Sequence, residues 1–280
     1  MATSTAADRW RDALEARRIP PAILEKAPEP PWGFPVGLFE VRAANAGGVD
    51  DAPTTRRAWA ALPEGGRVVD VGCGGGATSL PLASRAGLIT GVDQQADMLA
   101  SFTRAVTDAG GRAATVEGTW PDVADEVAAA DVVLCGHVLY NVADLVPFLA
   151  ALDATATSRV VVEITDRHPL VWMNDLWREF HAVTFPDGPS ADDAAAVIAA
   201  AGLQVHREDR PPDPSRGGGF PDREDAVAFV RRRLCLDPSR DDDVERVLGD
   251  RLRERDGRWS AGPPEGTPAS TLWWDVAPPG

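Results

Sequence analysis

Residues 68–80 read VVDVGCGGGATSL, and no other stretch restricts the fold of this chain as tightly. A β-branched run (Val68, Val69, Val71) meets a glycine cluster (Gly72, Gly74, Gly75, Gly76) and then a helix-compatible segment. Strand, tight turn and helix N-terminus in that order make a nucleotide-sized binding site. Glycines accept positive φ and let a ligand approach bare amides. Asp70 adds a carboxylate at the strand end, and Asp93 follows 21 residues after Gly72. That is close to the spacing of about 20 at which an acid meets ribose hydroxyls. The stretch points to an α/β chain with a nucleoside-cofactor site.

Strand and helix signals alternate around it. Strands are expected over 68–71, 88–92, 113–117, 131–135 and 159–164, with helices over 54–62, 78–85, 95–109 and 141–152. Strands apolar on both faces and separated by helices imply a parallel sheet covered on both sides. Further on, 169–185 (PLVWMNDLWREFHAVTF) reads as an inserted amphipathic helix, followed by a helix over 191–201 and a strand over 203–207. A Pro/Gly/Arg loop over 210–220, charged helices over 222–236 and 240–255, and a last strand over 271–276 complete the pattern. The expected fold is a Rossmann-like, doubly wound, mostly parallel seven-stranded sheet with helices on both faces.

An N-terminal helix over 5–18 would place Trp10, Leu14 and Ile19 on or near one face. The proline-rich run after it, with Trp32 and Phe34 and ending at Pro35, excludes a regular helix. It serves either as a lid or as a staple of the N-terminus. Residues 1–53 are therefore read as a helical and proline-rich cap, and 54–280 as the main domain with helical insertions near 169–190 and 210–260.

The net charge of −15 disfavours a DNA or RNA partner and leaves a small molecule or a protein side chain. Three widely spaced cysteines do not make a disulfide framework. The N-terminus has no apolar signal region and no run reaches 18 apolar residues, so a cytoplasmic protein without membrane spans is expected.

Read as GxGxxA (Gly72, Gly74, Ala77), the loop also suits a pyridine dinucleotide, and an NAD(P)-dependent oxidoreductase is the alternative reading. Asp70 argues against it, because a carboxylate there serves a diphosphate poorly and an ammonium group well. In D-x-G-x-G-x-G order, Asp70, Gly72, Gly74 and Gly76 resemble the first motif of the class I S-adenosylmethionine-dependent methyltransferases. GVDQQADML (residues 91–99), DVVLCGHVLYNV (131–142) and RVVVEI (159–164) are similar to that superfamily's second motif, fourth strand and fifth strand.

The resemblance implies S-adenosyl-L-methionine as cofactor and methyl transfer by in-line displacement to an O, N or C atom of a small acceptor. It implies ribose binding by Asp93, with Gln94 beside it, and the methionine amino group facing Asp70. It also implies glycine-loop amides and Gly136 against the cofactor, and Met98 over an adenine edge. One departure stands out: the third-strand loop carries Thr119 where many members have an acid, followed by Trp120, which could stack on or flank the ring. A methyltransferase-like binding protein without catalysis is a further alternative.

His137, just beyond the fourth strand, is the candidate catalytic base, with a structural or orienting role as the other reading. Tyr140 and Asn141 are candidates for the acceptor pocket, Tyr140 equally for the core. Trp172, Trp177 and Phe180 suggest either an apolar pocket or helix packing. Metal is not expected, because Cys135, Gly136 and His137 stand at the fourth-strand tip and Glu163 with Asp166 completes no oxygen cage.

Overall fold

β-branched residues with no polar face build the centre of the molecule, as strands buried on both sides require. The computed structural model describes residues 4–32, 51–213, 219–263 and 265–276. Strands β1 (Arg67–Val71), β2 (Leu88–Asp93), β3 (Ala113–Glu117), β4 (Ala130–Gly136) and β5 (Ala156–Thr165) run parallel. A polar edge strand, β6 (His206–Arg210), closes one side. β7 (Arg253–Arg255) and β8 (Arg258–Ser260) form a separate hairpin. β9 (Ala269–Asp275) lies between β5 and β6, antiparallel to both. The seven-stranded order is β3-β2-β1-β4-β5-β9-β6. It reverses between β1 and β4, and a crevice opens at the carboxyl ends where such an order reverses.

The helices are α1 (Ala6–Glu15), α2 (Pro21–Leu24), α3 (Pro53–Ala61), α4 (Ala96–Asp108), α5 (Leu145–Thr155), α6 (Asn174–His181), α7 (Ala191–Ala200), α8 (Arg223–Arg233) and α9 (Asp241–Leu248). One face of the sheet packs Val68, Ile89, Leu134 and Val161 against Ala58 of α3 and Phe102 and Val106 of α4. The other packs Val69, Val133, Val162 and Trp274 against α1, α5 and α7 through Trp10, Phe148 and Ile198. A second apolar cluster joins residues 173–185 to 220–261, with Ile19, Ile23 and Leu24 packed on it. Trp177 is buried there and Trp172 and Phe180 pack against it, so these aromatics serve helix packing.

Four expectations shift. The helix over 78–85 is instead a 3-10 turn, Leu80–Leu82, flanked by turns, because Pro81 has no N–H to continue an α-helical ladder. The helix expected from 141 begins at Leu145, after a 3-10 turn at Leu139–Asn141. The strand over 203–207 is displaced to His206–Arg210. Gly202 (φ 86) donates to the Ala199 carbonyl and Leu203 to that of Ile198, so a Schellman cap consumes Leu203. The helix over 240–255 stops at Leu248, and β7 and β8 follow around Asp256 and Gly257, both at positive φ. An Asp-Gly pair is the residue choice for that two-residue hairpin turn. Phe34 and Pro35, and residues 214–218 of the expected loop, lie outside the described residues.

No described helix is long and apolar enough to cross a membrane. The N-terminal helix is fastened to the main core by Trp10, which is fully buried and whose indole N–H donates to the Val142 carbonyl at 2.8 Å. Trp10→Ala is expected to destabilise the chain by about 3–5 kcal/mol in urea denaturation, the usual range for emptying such a site. Trp10→Phe, which keeps most of the apolar volume, is expected to cost much less.

Candidate active site

β1 and β2 deliver two carboxylates to the carboxyl edge of the sheet. Asp93 ends β2 and accepts from two backbone amides, Gly74 N through Oδ2 and Gln95 N through Oδ1, each at 3.0 Å. The residue is half-buried, and each oxygen keeps a lone pair for a further donor. Its backbone carbonyl accepts from Gly118 N at 3.0 Å. Asp70 is buried beneath the glycine loop and accepts from Ser79 Oγ at 2.6 Å. Burial pushes the Asp70 carboxyl up to about 7; the Ser79 hydrogen bond opposes this and the Asp93 charge adds to it. Ser79 is a site residue that the sequence pattern did not single out.

The glycine loop differs from the expectation in two respects. Gly72 N and Cys73 N both donate to the Val92 carbonyl, at 2.8 and 3.1 Å, and Gly76 N donates to the Cys73 carbonyl at 2.8 Å. With Gly74 N on Asp93, four of the loop amides expected to be bare are engaged inside the protein. No α-helix N-terminus stands behind the loop, since Leu80–Leu82 is a 3-10 turn. Gly72 sits at φ 68, and a Cβ there would meet Val138 Cγ2 at 2.3 Å. A Cβ on Gly136 would meet Thr78 Oγ1 at 2.3 Å. Close approach of the β1 loop to the turn after β4 thus requires glycine at both positions.

Gln94 and Thr119 are exposed beside Asp93, whereas Met98 is buried. Trp120 lies in the core, with its indole N–H on the Phe148 carbonyl at 3.3 Å, and so packs on α5 rather than standing exposed. Tyr140 is likewise buried, its hydroxyl bonded to Thr165, and burial first of all raises its pKa. Asn141 is exposed beside it. Cys73 and Cys135 are buried free thiols. Among the described residues no group of three or more His, Cys, Asp and Glu is arranged to hold a metal ion.

His137 follows β4 at φ 60, a left-handed backbone position that costs a bulky residue on the order of 1–3 kcal/mol. Its N–H donates to the Glu163 carbonyl at 2.8 Å, and its Nε2 lies 3.0 Å from Glu163 Oε1. Thr54 of α3 donates to Glu163 Oε2 and lies 2.7 Å from Thr271 Oγ1 of β9. Arg210 Nη2 is 3.7 Å from Glu163 Oε1. Burial alone would raise the Glu163 carboxyl. The hydrogen bond and charge of His137, the Thr54 hydroxyl and the Arg210 charge outweigh it and hold the group at about 2. The sequence reading treated Glu163 only as an incomplete metal ligand. Its signal is an acid inside the otherwise apolar run VVVEI over 160–164.

An order reversing at β1/β4, a glycine loop with acids before and after it, and a last antiparallel strand define the class I methyltransferase fold. Residues 68–157 match the family described as "Methyltransferase domain". Over 86 residues the chain is 37% identical to the ubiquinone biosynthesis O-methyltransferase of Azorhizobium caulinodans, a match covering 31% of this chain and 34% of that protein. The chain therefore spans about a third of the length of this curated relative. Among solved structures, the YcgJ protein of Bacillus subtilis is 15% identical with a TM-score of 0.49, covering 81% of this chain and 98% of that one. A methyltransferase of Geobacter sulfurreducens in complex with S-adenosyl-L-homocysteine is 16% identical with a TM-score of 0.49, covering 88% and 99%. The chain thus carries a methyltransferase domain over residues 68–157.

The two perturbed carboxyls give opposite pH dependences. Asp70, at about 7 when folded against an ordinary 3.8, binds its proton more tightly in the native state. Stability is then lost as pH rises from about 4 to about 7. Glu163, at about 2 against 4.5, contributes stability that is present above 4.5 and lost as pH falls towards 2. In urea titrations across pH, Asp70→Asn is expected to flatten the slope between pH 4 and 7 and to exceed the wild type in stability above it. Lower stability of this variant at pH 8 would contradict the assignment.

Proposed function

We propose that this protein is an S-adenosylmethionine-dependent methyltransferase acting on an O, N or C atom of a small-molecule acceptor. One observation carries the reading: the loop after β1 has most of its amides engaged and no helix N-terminus behind it, and it is flanked by Asp70 and Asp93. A dinucleotide's diphosphate needs free amides and a helix dipole. A sulfonium cofactor carries an amino group and no phosphate, and it suits a loop with one carboxylate beneath it and another beside it.

In this reading Asp93 holds both ribose hydroxyls with the lone pairs left over from Gly74 and Gln95, with Gln94 at its side. Asp70, beneath the loop, faces the methionine amino group and keeps Ser79 as its partner. Gly72, Gly74, Gly76 and Gly136 shape the floor, Met98 backs the adenine from within the core, and Thr119 borders its rim beside Trp120. When bound, S-adenosylmethionine supplies an electrophilic methyl group, and alignment with the acceptor accounts for much of the rate. His137 and Asn141 stand at the acceptor side with Tyr140 behind them. Within residues 1–53 the described part, 4–32, acts as a cap on the domain that begins at residue 54, and the described parts of the insertions near 169–190 and 210–260 shape the acceptor side. The acidic net charge favours a small molecule over nucleic acid.

Calorimetric titration tests this reading. Wild-type protein is expected to bind S-adenosylmethionine and S-adenosylhomocysteine, and Asp93→Ala to lose at least about tenfold in affinity, since hydrogen bonds to a charged group contribute about 1.5–3 kcal/mol. Binding of NAD(P)H alone would overturn it.

A further inference from the structure

Glu163 is held more firmly than a structural acid at a strand end requires. Four neighbours converge on one largely buried carboxylate: the His137 ring from the end of β4, the Thr54 hydroxyl from α3, the Arg210 guanidinium from β6 and, through Thr54, the Thr271 hydroxyl from β9. Arg210 Nη1 is buried with no hydrogen-bond partner among the described residues, and Nη2 stands 3.7 Å from Glu163 Oε1, so Arg210 acts on Glu163 as a charge. The carboxylate's one partner that reaches towards solvent is His137, whose side chain is 39% exposed. The next residue, Val138, lies against Gly72 of the glycine loop. The pair therefore stands beside the crevice where a methyl donor would lie.

We infer that Glu163 is a positioning residue that makes His137 a general base, and that the acceptor is consequently a hydroxyl or phenol that is still protonated when it binds. The inference rests on the methyltransferase reading above. An ionised carboxylate at Nε2 selects the tautomer with its proton on Nε2 and leaves the Nδ1 lone pair free. The positive-φ backbone of His137, tied to the Glu163 carbonyl at 2.8 Å, fixes the ring's direction. The acceptor oxygen bonds to the methyl carbon as the carbon–sulfur bond breaks and leaves its electron pair on sulfur. The O–H proton passes to Nδ1, and the resulting imidazolium is stabilised by Glu163 until it loses the proton to water. A carboxylate or thiolate acceptor, already ionised, would have no use for this arrangement.

The test uses the full-length chain. Equal binding of S-adenosylhomocysteine by wild type and Glu163→Gln establishes that the crevice is intact, and its absence from both would overturn the methyltransferase reading by itself. Ring nitrogen–hydrogen correlation spectra of the four histidines, assigned with His137→Asn, then report the tautomer. The Nε2–H form is expected for His137 in the wild type and a mixture in Glu163→Gln. Catechol as a phenolic probe and benzoate as a carboxylate probe are offered with S-adenosylmethionine. For catechol, kcat is expected to fall about 100-fold in Glu163→Gln, the lower range for losing a general base. KM for S-adenosylmethionine stays unchanged and Glu163→Asp recovers part of the rate, while any benzoate methylation is unaffected. An Nδ1–H tautomer in the wild type, or undiminished catechol methylation in Glu163→Gln, overturns the inference. If the wild type methylates neither probe, the tautomer alone decides.

Discussion

Three loops at the carboxyl edge of the sheet are held together by one residue. Asp93 takes the Gly74 amide of the β1 loop and the Gln95 amide that opens α4, and its backbone carbonyl takes the Gly118 amide of the β3 loop. Hydrogen bonds to a charged acceptor contribute about 1.5–3 kcal/mol each, more than a neutral bond in the same place. The carboxylate that the spacing marks as a candidate ribose ligand is therefore also a structural anchor. The loops that border the crevice are thus tied to one another through Asp93.

Two buried carboxyls on the same face of the sheet have opposite electrostatic environments. Asp70 has one hydroxyl partner and a nearby like charge, so burial prevails and its proton is retained to about pH 7. Glu163 has a histidine, a threonine hydroxyl and an arginine, and it stays ionised. A cationic ligand reaching the first site supplies the charge that Asp70 lacks. The second site already holds its counter-charges, with the His137 ring bound to the carboxylate through Nε2.

Much of this arrangement was legible in the sequence. The apolar runs over 68–71 and 88–92 define strands whatever the tertiary context, and the acids at 70 and 93 follow from spacing along such a unit. The stretch over 78–85 reads as a helix by composition, and Pro81 interrupts the ladder it would need. The hairpin at Asp256-Gly257 was missed although the pair names its own turn. Glu163 with Thr54, Arg210 and Thr271 lay beyond any spacing argument. Those residues come from four elements spread over more than 200 positions and meet only through the sheet order. Trp120 and Tyr140 were ambiguous for a different reason: an aromatic beside a loop packs inward or faces a ligand according to neighbours that the local sequence does not name.

Hydrogen exchange of the full chain, with and without S-adenosylhomocysteine, tests the central claim most directly. The account predicts added protection in the peptides spanning residues 70–79 and 91–99, where the glycine loop and Asp93 meet, with peptides from α9 and the β7–β8 hairpin unchanged. Protection confined to the helical cluster, or none at all at saturating ligand, would contradict a methyl-donor site at the β1–β4 crevice.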